Sequence, residues 1–250
     1  MLTNENYFSK ENEMKYFGSS QFKSFLKCES ATLAKINGEY QEETSVALLV
    51  GSFVDAHFEG TLDIFRAQHP AIFTKQGELK SEYRHAEYII ERIERDEMFM
   101  KYMSGSKQVI KTGELFGVEW KTKIDSYHEG KCIVDLKVMK DFQPIWVDGQ
   151  GKVPFVEAWG YDFQGFIYTQ IEGNGLPFFI CAASKQKPEP DISIMSISQD
   201  QLDMAGEIIK ANIERFVQVK AGLIEPHRCE QCDFCRRTKK LTQIVDYREV

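Results

Sequence analysis

Apolar residues in the first part of the chain recur three or four positions apart, the spacing of helices with one buried face. The first predicted helix starts at Ser19 or Ser20, either of which can cap it, and stops at Gly38. Its buried side is formed by Phe22, Phe25, Leu26, Leu33 and Ile36. A second helix is predicted from about residue 43 to 59, and one or two charged surface helices over 80–103.

The pattern then changes to short segments with alternating or continuous apolar residues. Residues 107–116, 117–126 and 131–139 have this pattern, which predicts three strands. The turn-forming segment 127–130 should join the last two strands as a hairpin. Two glycines and two prolines in 141–156 predict a loop.

The last predicted elements are a helix, two strands and a long helix, over residues 157–172, 176–183, 191–197 and 199–220. This order predicts an α/β (α+β) fold, in which helices flank a central mixed β-sheet. The sequence shows no internal repeat and no clear linker. We therefore expect one domain over 1–250, with a Cys-rich segment at about 226–240.

Composition and net charge exclude few classes of function. The chain has 250 residues, 42% of them apolar, and a formal net charge of −7. Proteins that coat nucleic acid are usually basic, but an acidic site that holds cations fits this charge. Residues 1–18 are polar and acidic, and no apolar run has transmembrane length. We expect a cytoplasmic protein with no membrane partner.

Candidate chemistry lies on the predicted hairpin. Asp125 ends one strand, Asp135 lies on the returning strand, and Lys137 projects from the same face as Asp135. Buried carboxylates need a partner or a cation, and Mg²⁺ prefers oxygen ligands. Taken alone, these residues are better explained by an ordinary strand with a cross-strand salt bridge. Glu114, on the preceding strand, is either a further carboxylate of the site or a solvent-facing residue.

The order of an acid, a short hairpin and acid-x-Lys resembles the PD-(D/E)xK nuclease superfamily. The resemblance implies a restriction-endonuclease-like nuclease core, in which Asp125 and Asp135 bind the metal with help from the Leu136 carbonyl. It also implies that Lys137 acts on the attacking water. The first motif is Ile124-Asp125 rather than Pro-Asp.

Two further segments resemble one branch of that superfamily. Residues 51–59 are similar to a helix motif of recombination nucleases in which a histidine, here His57, joins the metal site. Gln164 and Tyr168 are similar to their Gln-x-x-x-Tyr motif and would share a helix face that positions DNA. The alternatives are a capping or core histidine and ordinary helix-surface residues. The overall resemblance is to phage RecE-like exonucleases (exodeoxyribonuclease VIII type) and, more distantly, to lambda exonuclease.

This resemblance implies a Mg²⁺-dependent (or Mn²⁺-dependent) exonuclease that degrades double-stranded DNA from 5′ to 3′. It also implies phage-type recombination or repair, a single-strand annealing protein as partner and a homo-oligomer. Two alternatives remain open: a structure-specific endonuclease or nickase that uses the same site, and a non-catalytic DNA-binding accessory protein.

The tail carries a tight C-x₂-C-x₂-C motif formed by Cys229, Cys232 and Cys235. Three thiolates this close form a metal-ligand set, for which Cys28 or His227 could be the fourth ligand. Some related nucleases hold an iron–sulfur cluster with one early and three late cysteines, which implies a [4Fe–4S] cluster here. Their late spacing is usually C-x₂-C-x₅-C, so zinc and a metal-free thiol cluster stay open.

Overall fold

The computed structural model describes residues 2–241, 243–246 and 248. Seven α-helices and a single 3₁₀ turn precede the sheet in this described part of the chain. They are α1 (Lys10–Lys15), α2 (Ser19–Lys27), α3 (Glu29–Asn37), α4 (Val46–Glu59), α5 (Leu62–Gln68), the 3₁₀ turn Pro70–Ile72, α6 (His85–Glu94) and α7 (Glu97–Tyr102). Among the described residues, no helix is both long enough and apolar enough to span a membrane.

The helix predicted from Ser19 to Gly38 is two helices. Cys28 is extended, with φ −165° and ψ 108°, and it both ends α2 and begins α3. Gly38 ends α3 in the left-handed conformation, as predicted. The break turns the chain at Cys28, which has consequences for the cysteine set described below.

The strands begin at Ser106 and alternate with further helices. These elements are β1 (Ser106–Leu115), β2 (Val118–His128), β3 (Cys132–Met139), β4 (Ile145–Val147), β5 (Gly151–Val153), α8 (Phe155–Ala158), α9 (Tyr161–Glu172), β6 (Phe178–Ser184), β7 (Ile192–Ser196), α10 (Gln199–Lys220) and α11 (Asp233–Thr238). The predicted loop over 141–156 contains the small β4–β5 hairpin, and the predicted helix over 157–172 is divided at Gly160, which has φ 62°.

Five strands form a mixed sheet in the order β1-β2-β3-β6-β7. Neighbouring strands are antiparallel except β3 and β6, which are parallel. A parallel pair needs a crossover connection, and α9 lies in it. The predicted fold class, a central mixed sheet flanked by helices, is therefore confirmed.

Apolar side chains cover both faces of this sheet. On one face, Ile133 and Ile180 pack with residues of α2, α9 and α10. On the other face, Val134 and Leu136 pack with residues of α4 and α6. Because side chains alternate along a strand, Asp135 and Lys137 share the Ile133 face, toward α9.

The β2–β3 hairpin opens at the position of the predicted site. The two strands pair only near the turn, where Ser126 lies opposite Val134 and His128 opposite Cys132. Beyond this pair, the hydroxyl of Tyr168 on α9 donates to the carbonyl oxygen of Lys123, 3.0 Å away. The Tyr168 hydroxyl thus forms a hydrogen bond with a backbone group of β2 that strand β3 would have paired if the two strands had stayed together.

Candidate active site

A pocket lies where β2 and β3 separate. The hairpin contributes Asp125, Asp135 and Lys137 to its lining, and α4 contributes Asp55 and Glu59. Segments far apart in sequence therefore bring four carboxylates and a lysine into one cavity. The pocket has a basic component too, since Lys23 of α2 and Lys123 of β2 also line it.

Asp125 is held by two donors. Its Oδ2 accepts a hydrogen bond of 2.9 Å from the backbone nitrogen of Leu136, and its Oδ1 accepts one of 3.3 Å from Nε2 of Gln108. Burial, followed by the nearby charge of Asp135, raises the pKa of Asp125 well above its usual range. A cation in the pocket would remove this penalty on the ionised form.

Asp135 is fixed from two sides. Its Oδ1 accepts a hydrogen bond of 2.5 Å from Nε2 of Gln164, and its Oδ2 forms an ion pair with Nζ of Lys137. Burial by itself would lower the pKa of Lys137, but the carboxylates of Asp135 and Asp125 outweigh it and raise that pKa. Lys137 is therefore a cation whose ammonium group also lies 3.3 Å from the carbonyl oxygen of Leu136.

Helix α4 presents Asp55 and Glu59 to the pocket, while His57 lies elsewhere. Residues four apart share a helix face, and a residue two positions away lies on the other side. Accordingly, Nε2 of His57 lies 2.8 Å from Oε1 of Glu94 on α6, and its side chain is one-third exposed. The sequence singled out His57 in this segment, but the two acids flanking it reach the pocket. Their four-residue spacing was the signal that could have identified them.

Asp55 is the most isolated of these acids. Its Oδ1 is shielded from solvent and has no hydrogen-bond partner among the described residues. Burial raises the pKa of Asp55 to about 7, and the charge of Lys137 partly opposes this shift. An unpaired buried carboxylate oxygen is costly, which indicates that another group normally satisfies it.

Gln108 links a carboxylate of α4 to a carboxylate of the hairpin. Its Nε2 donates to Oε1 of Glu59 at 2.7 Å and to Oδ1 of Asp125 at 3.3 Å. The residue is buried and has φ 53°, a left-handed conformation that is costly for a residue with a side chain. A glutamine within a strand carries no sequence signal for such a role, and sequence reasoning missed it.

The remaining predicted residues divide between the pocket and the surface. Gln164 and Tyr168 line the pocket but are buried, and they contact Asp135 and the backbone of Lys123 rather than an open groove. Glu114 is exposed in β1, opposite Glu119 of β2. The structure thus brings together Asp125, Asp135, Leu136, Lys137, Gln164 and Tyr168.

Residues 18–238 match a protein family described as the PDDEXK-like domain of unknown function (DUF3799). The chain belongs to this family. The match contains the hairpin, α4, α9 and the four cysteines, so the four carboxylates and Lys137 of the pocket lie within it. The predicted membership of the PD-(D/E)xK nuclease superfamily is thereby confirmed.

A solved structure supports the same assignment. The crystal structure of a candidate exonuclease from Eubacterium rectale is similar, with 48% sequence identity and a TM-score of 0.94 over 100% of this chain and 97% of that chain. The structure of SSO0001 is 12% identical, with a TM-score of 0.32 over 86% of this chain and 91% of that one, too little to support a conclusion. No curated protein matches this chain significantly.

The pocket of this PDDEXK-like domain fits a divalent metal ion. Asp55, Glu59, Asp125 and Asp135 offer carboxylate oxygens, the ligands that Mg²⁺ and Mn²⁺ prefer. Only one lysine, Lys137, forms an ion pair with this group among the described residues. A bound cation would neutralise the excess of negative charge and would give the unpaired oxygen of Asp55 a partner.

The PDDEXK-like domain also contains a second candidate metal site, away from this pocket. The sulfur atoms of Cys28, Cys229, Cys232 and Cys235 all lie within 4.8 Å of one another. The structure thus brings together the four cysteines selected from the sequence, a set compatible with zinc or an iron–sulfur cluster. His227, the other proposed ligand, has its backbone nitrogen 2.6 Å from Oε2 of Glu29.

Proposed function

We propose that this PDDEXK-like protein is a Mg²⁺-dependent exonuclease that degrades double-stranded DNA from 5′ ends. The observation that carries the proposal is the meeting of Asp125, Asp135 and Lys137 at the opening of the β2–β3 hairpin, beside Asp55 and Glu59. The candidate exonuclease that shares 48% of its sequence favours exonuclease over other nuclease activities.

Asp125, Asp135 and the carbonyl oxygen of Leu136 would hold the metal ion. When bound, Mg²⁺ or Mn²⁺ lowers the pKa of water and neutralises charge on a phosphodiester. Lys137 stays protonated. Its ammonium group would donate a hydrogen bond that orients the attacking water, and its charge would stabilise the negative charge that develops on the phosphate. Asp55 and Glu59 supply further ligands, in the role that the sequence suggested for His57.

The substrate side of the pocket has the chemistry needed for a DNA strand. Lys23 and Lys123 are cationic candidates for phosphate contact in a protein whose overall charge is negative. Burial, followed by the charge of Lys137, lowers the pKa of Lys23 to about 8, so a phosphate nearby would favour its charged form. Gln164 and Tyr168 would position DNA indirectly, through Asp135 and strand β2.

The biological setting follows from the resemblance to RecE-like exonucleases. It includes 5′-to-3′ polarity, phage-type recombination or repair in the cytoplasm, a single-strand annealing protein as partner and a homo-oligomer. All four points are parts of the proposal.

The test compares linear duplex DNA labelled at either 5′ or 3′ ends with a covalently closed circle. The protein should degrade only the linear substrate from its 5′ ends with Mg²⁺ or Mn²⁺, and a chelator should stop it. Asp125→Ala and Lys137→Ala should lower the rate by about 10³-fold or more. Lys140→Ala, which changes a lysine that is 95% exposed just beyond β3, should leave the rate unchanged.

Other outcomes would contradict the proposal in defined ways. Cleavage of the closed circle would identify an endonuclease or nickase that uses the same residues. DNA binding without cleavage in either metal would identify an accessory protein. Full activity of the Asp125→Ala and Lys137→Ala variants would remove the pocket from the reaction.

A further inference from the structure

The four-cysteine set joins two segments that lie far apart in the sequence. Cys28 lies at the break between α2 and α3, and the other three cysteines lie just before or within α11. Cys28 and Cys235 are 207 positions apart, yet their sulfur atoms are separated by 3.6 Å. All four residues are free thiols, so no disulfide explains the approach. Cys28 and Cys235 are buried, and the other two are half-buried.

The sulfur separations distinguish between one metal ion and a cluster. Zinc–sulfur bonds of about 2.3 Å in a tetrahedron place the sulfur atoms about 3.8 Å apart. In a [4Fe–4S] cluster each thiolate binds a different iron, so the sulfur atoms lie roughly 6 Å apart. Here two pairs measure 3.6 and 3.9 Å, and every pair is within 4.8 Å. These distances are close to the separations around one ion and shorter than those around the cluster.

The local backbone supports the same geometry. The nitrogen of Cys232 donates to the sulfur of Cys229 at 3.3 Å, and the nitrogen of Cys235 donates to the sulfur of Cys232 at 3.5 Å. Two consecutive turns with the same spacing therefore direct N–H groups at sulfur, which stabilises thiolates as metal ligands. The three sulfurs of the C-x₂-C-x₂-C motif thus lie within 4.8 Å of one another and of the sulfur of Cys28.

We propose that Cys28, Cys229, Cys232 and Cys235 bind a single structural Zn²⁺ ion, and not the [4Fe–4S] cluster that the resemblance to related nucleases implies. Four protein thiolates complete a tetrahedral site and leave no position for water or substrate, which is typical of structural zinc. The inference is independent of the proposed nuclease activity, because it concerns other residues.

The contacts around the set explain what the ion does. Glu29, next to Cys28, accepts hydrogen bonds from Arg215 of α10 at 2.7 and 2.9 Å and from the backbone of His227 at 2.6 Å. The C-terminal segment therefore docks on α3 beside the cysteines. Zinc holds this segment against the α2–α3 junction, and α2 carries Lys23 of the catalytic pocket. Zinc binding would thus contribute free energy to folding and stabilise that helix.

Metal analysis of the unmodified protein tests the identity of the ion. The protein is produced in cells supplied with both iron and zinc, and is purified without oxygen. We expect one zinc per chain, no iron, no acid-labile sulfide and no visible absorption, and Co²⁺ exchanged into the site should give the absorption bands of tetrahedral thiolate cobalt. Iron with equimolar sulfide and a brown colour would overturn the proposal, as would a single iron or four thiols that react freely with no metal.

A matched pair of variants tests the ligands. Cys229→Ala should lose the zinc, lower the melting temperature and expose the C-terminal segment to protease. Cys132→Ala, which removes a buried cysteine of β3 outside the set, should keep one zinc per chain. Retention of zinc by Cys229→Ala would contradict the assignment. If that variant does not fold, the unmodified protein can be titrated with a mercurial reagent while zinc release is measured. The assignment requires that about four thiols react for each zinc ion released.

Discussion

Gln164 on α9 donates a hydrogen bond of 2.5 Å to Oδ1 of Asp135, and both side chains are almost fully buried. The other oxygen of the same carboxylate pairs with Lys137. Asp135 therefore has little freedom to rotate, and its orientation depends on a helix that begins well beyond the hairpin. The glutamine acts on the proposed metal site through its ligand.

The first prediction concerns this support. Gln164→Leu should lower the nuclease rate by about 10- to 100-fold and raise the Mg²⁺ concentration needed for half-maximal rate, because partners of metal ligands have effects of this size. The measurement is the rate of linear duplex degradation across a Mg²⁺ titration. Gln170→Leu, an exposed glutamine of the same helix, is the control. An unchanged Mg²⁺ requirement in Gln164→Leu would show that Asp135 does not need this bond.

The second prediction compares two residues of α4. Asp55→Asn should lower the nuclease rate by about 100-fold or more, because it removes a carboxylate that faces the proposed metal. The same variant should be more stable than the parent in the absence of metal, since an unpaired buried oxygen of Asp55 is no longer charged. Rates and urea unfolding curves measured without divalent ions test the two effects separately.

His57→Ala is the matched comparison. His57 contacts Glu94 and is partly exposed, so its loss should change the rate by less than about threefold. If His57→Ala loses as much activity as Asp55→Asn, the histidine moves into the pocket when substrate or metal binds, and the sequence-based role of His57 would be restored.

Asp55 and His57 show which parts of the site could be predicted from the sequence and which could not. Apolar periodicity predicted α4 and α10 to within a few residues, and the order of acids and lysine predicted the hairpin site. The four-residue spacing of Asp55 and Glu59 indicates that they share a helix face, but which face of α4 meets the pocket depends on how the helix docks on the sheet. Similarly, Cys28 has no Gly or Pro beside it to signal a break between two helices.

The third prediction concerns the left-handed backbone of Gln108. Glycine adopts φ near +53° without the cost of about 1–2 kcal/mol that other residues have there. Gln108→Gly should therefore unfold with a free energy about 1 kcal/mol higher than Gln108→Ala, measured in urea. Both variants should lose activity to the same extent, because each lacks the amide that links Glu59 to Asp125. Equal stabilities of the two variants would show that this backbone is not strained.

The fourth prediction concerns Lys220, which is buried at the end of α10. Its Nζ donates to the carbonyl oxygen of Tyr16 at 2.7 Å and to Oε1 of Gln21 at 2.9 Å. Burial lowers the pKa of Lys220 to about 7, with Glu13 opposing the shift and Lys121 adding to it. Between pH 7 and the usual lysine pKa of about 10.4, the unfolded chain binds a proton that the folded protein does not. The free energy of unfolding should therefore rise with pH in this window.

Substitution isolates this contribution from those of other titrating groups. The free energy of unfolding of the parent, relative to that of Lys220→Met, should increase by about 2 kcal/mol from pH 7 to pH 9 in urea titrations. Lys210→Met, which changes an exposed lysine of the same helix, should show no such change relative to the parent. A difference between the parent and Lys220→Met that does not vary with pH would mean that Lys220 stays charged when folded. The two oxygen acceptors would then stabilise an ammonium ion strongly enough to offset its burial.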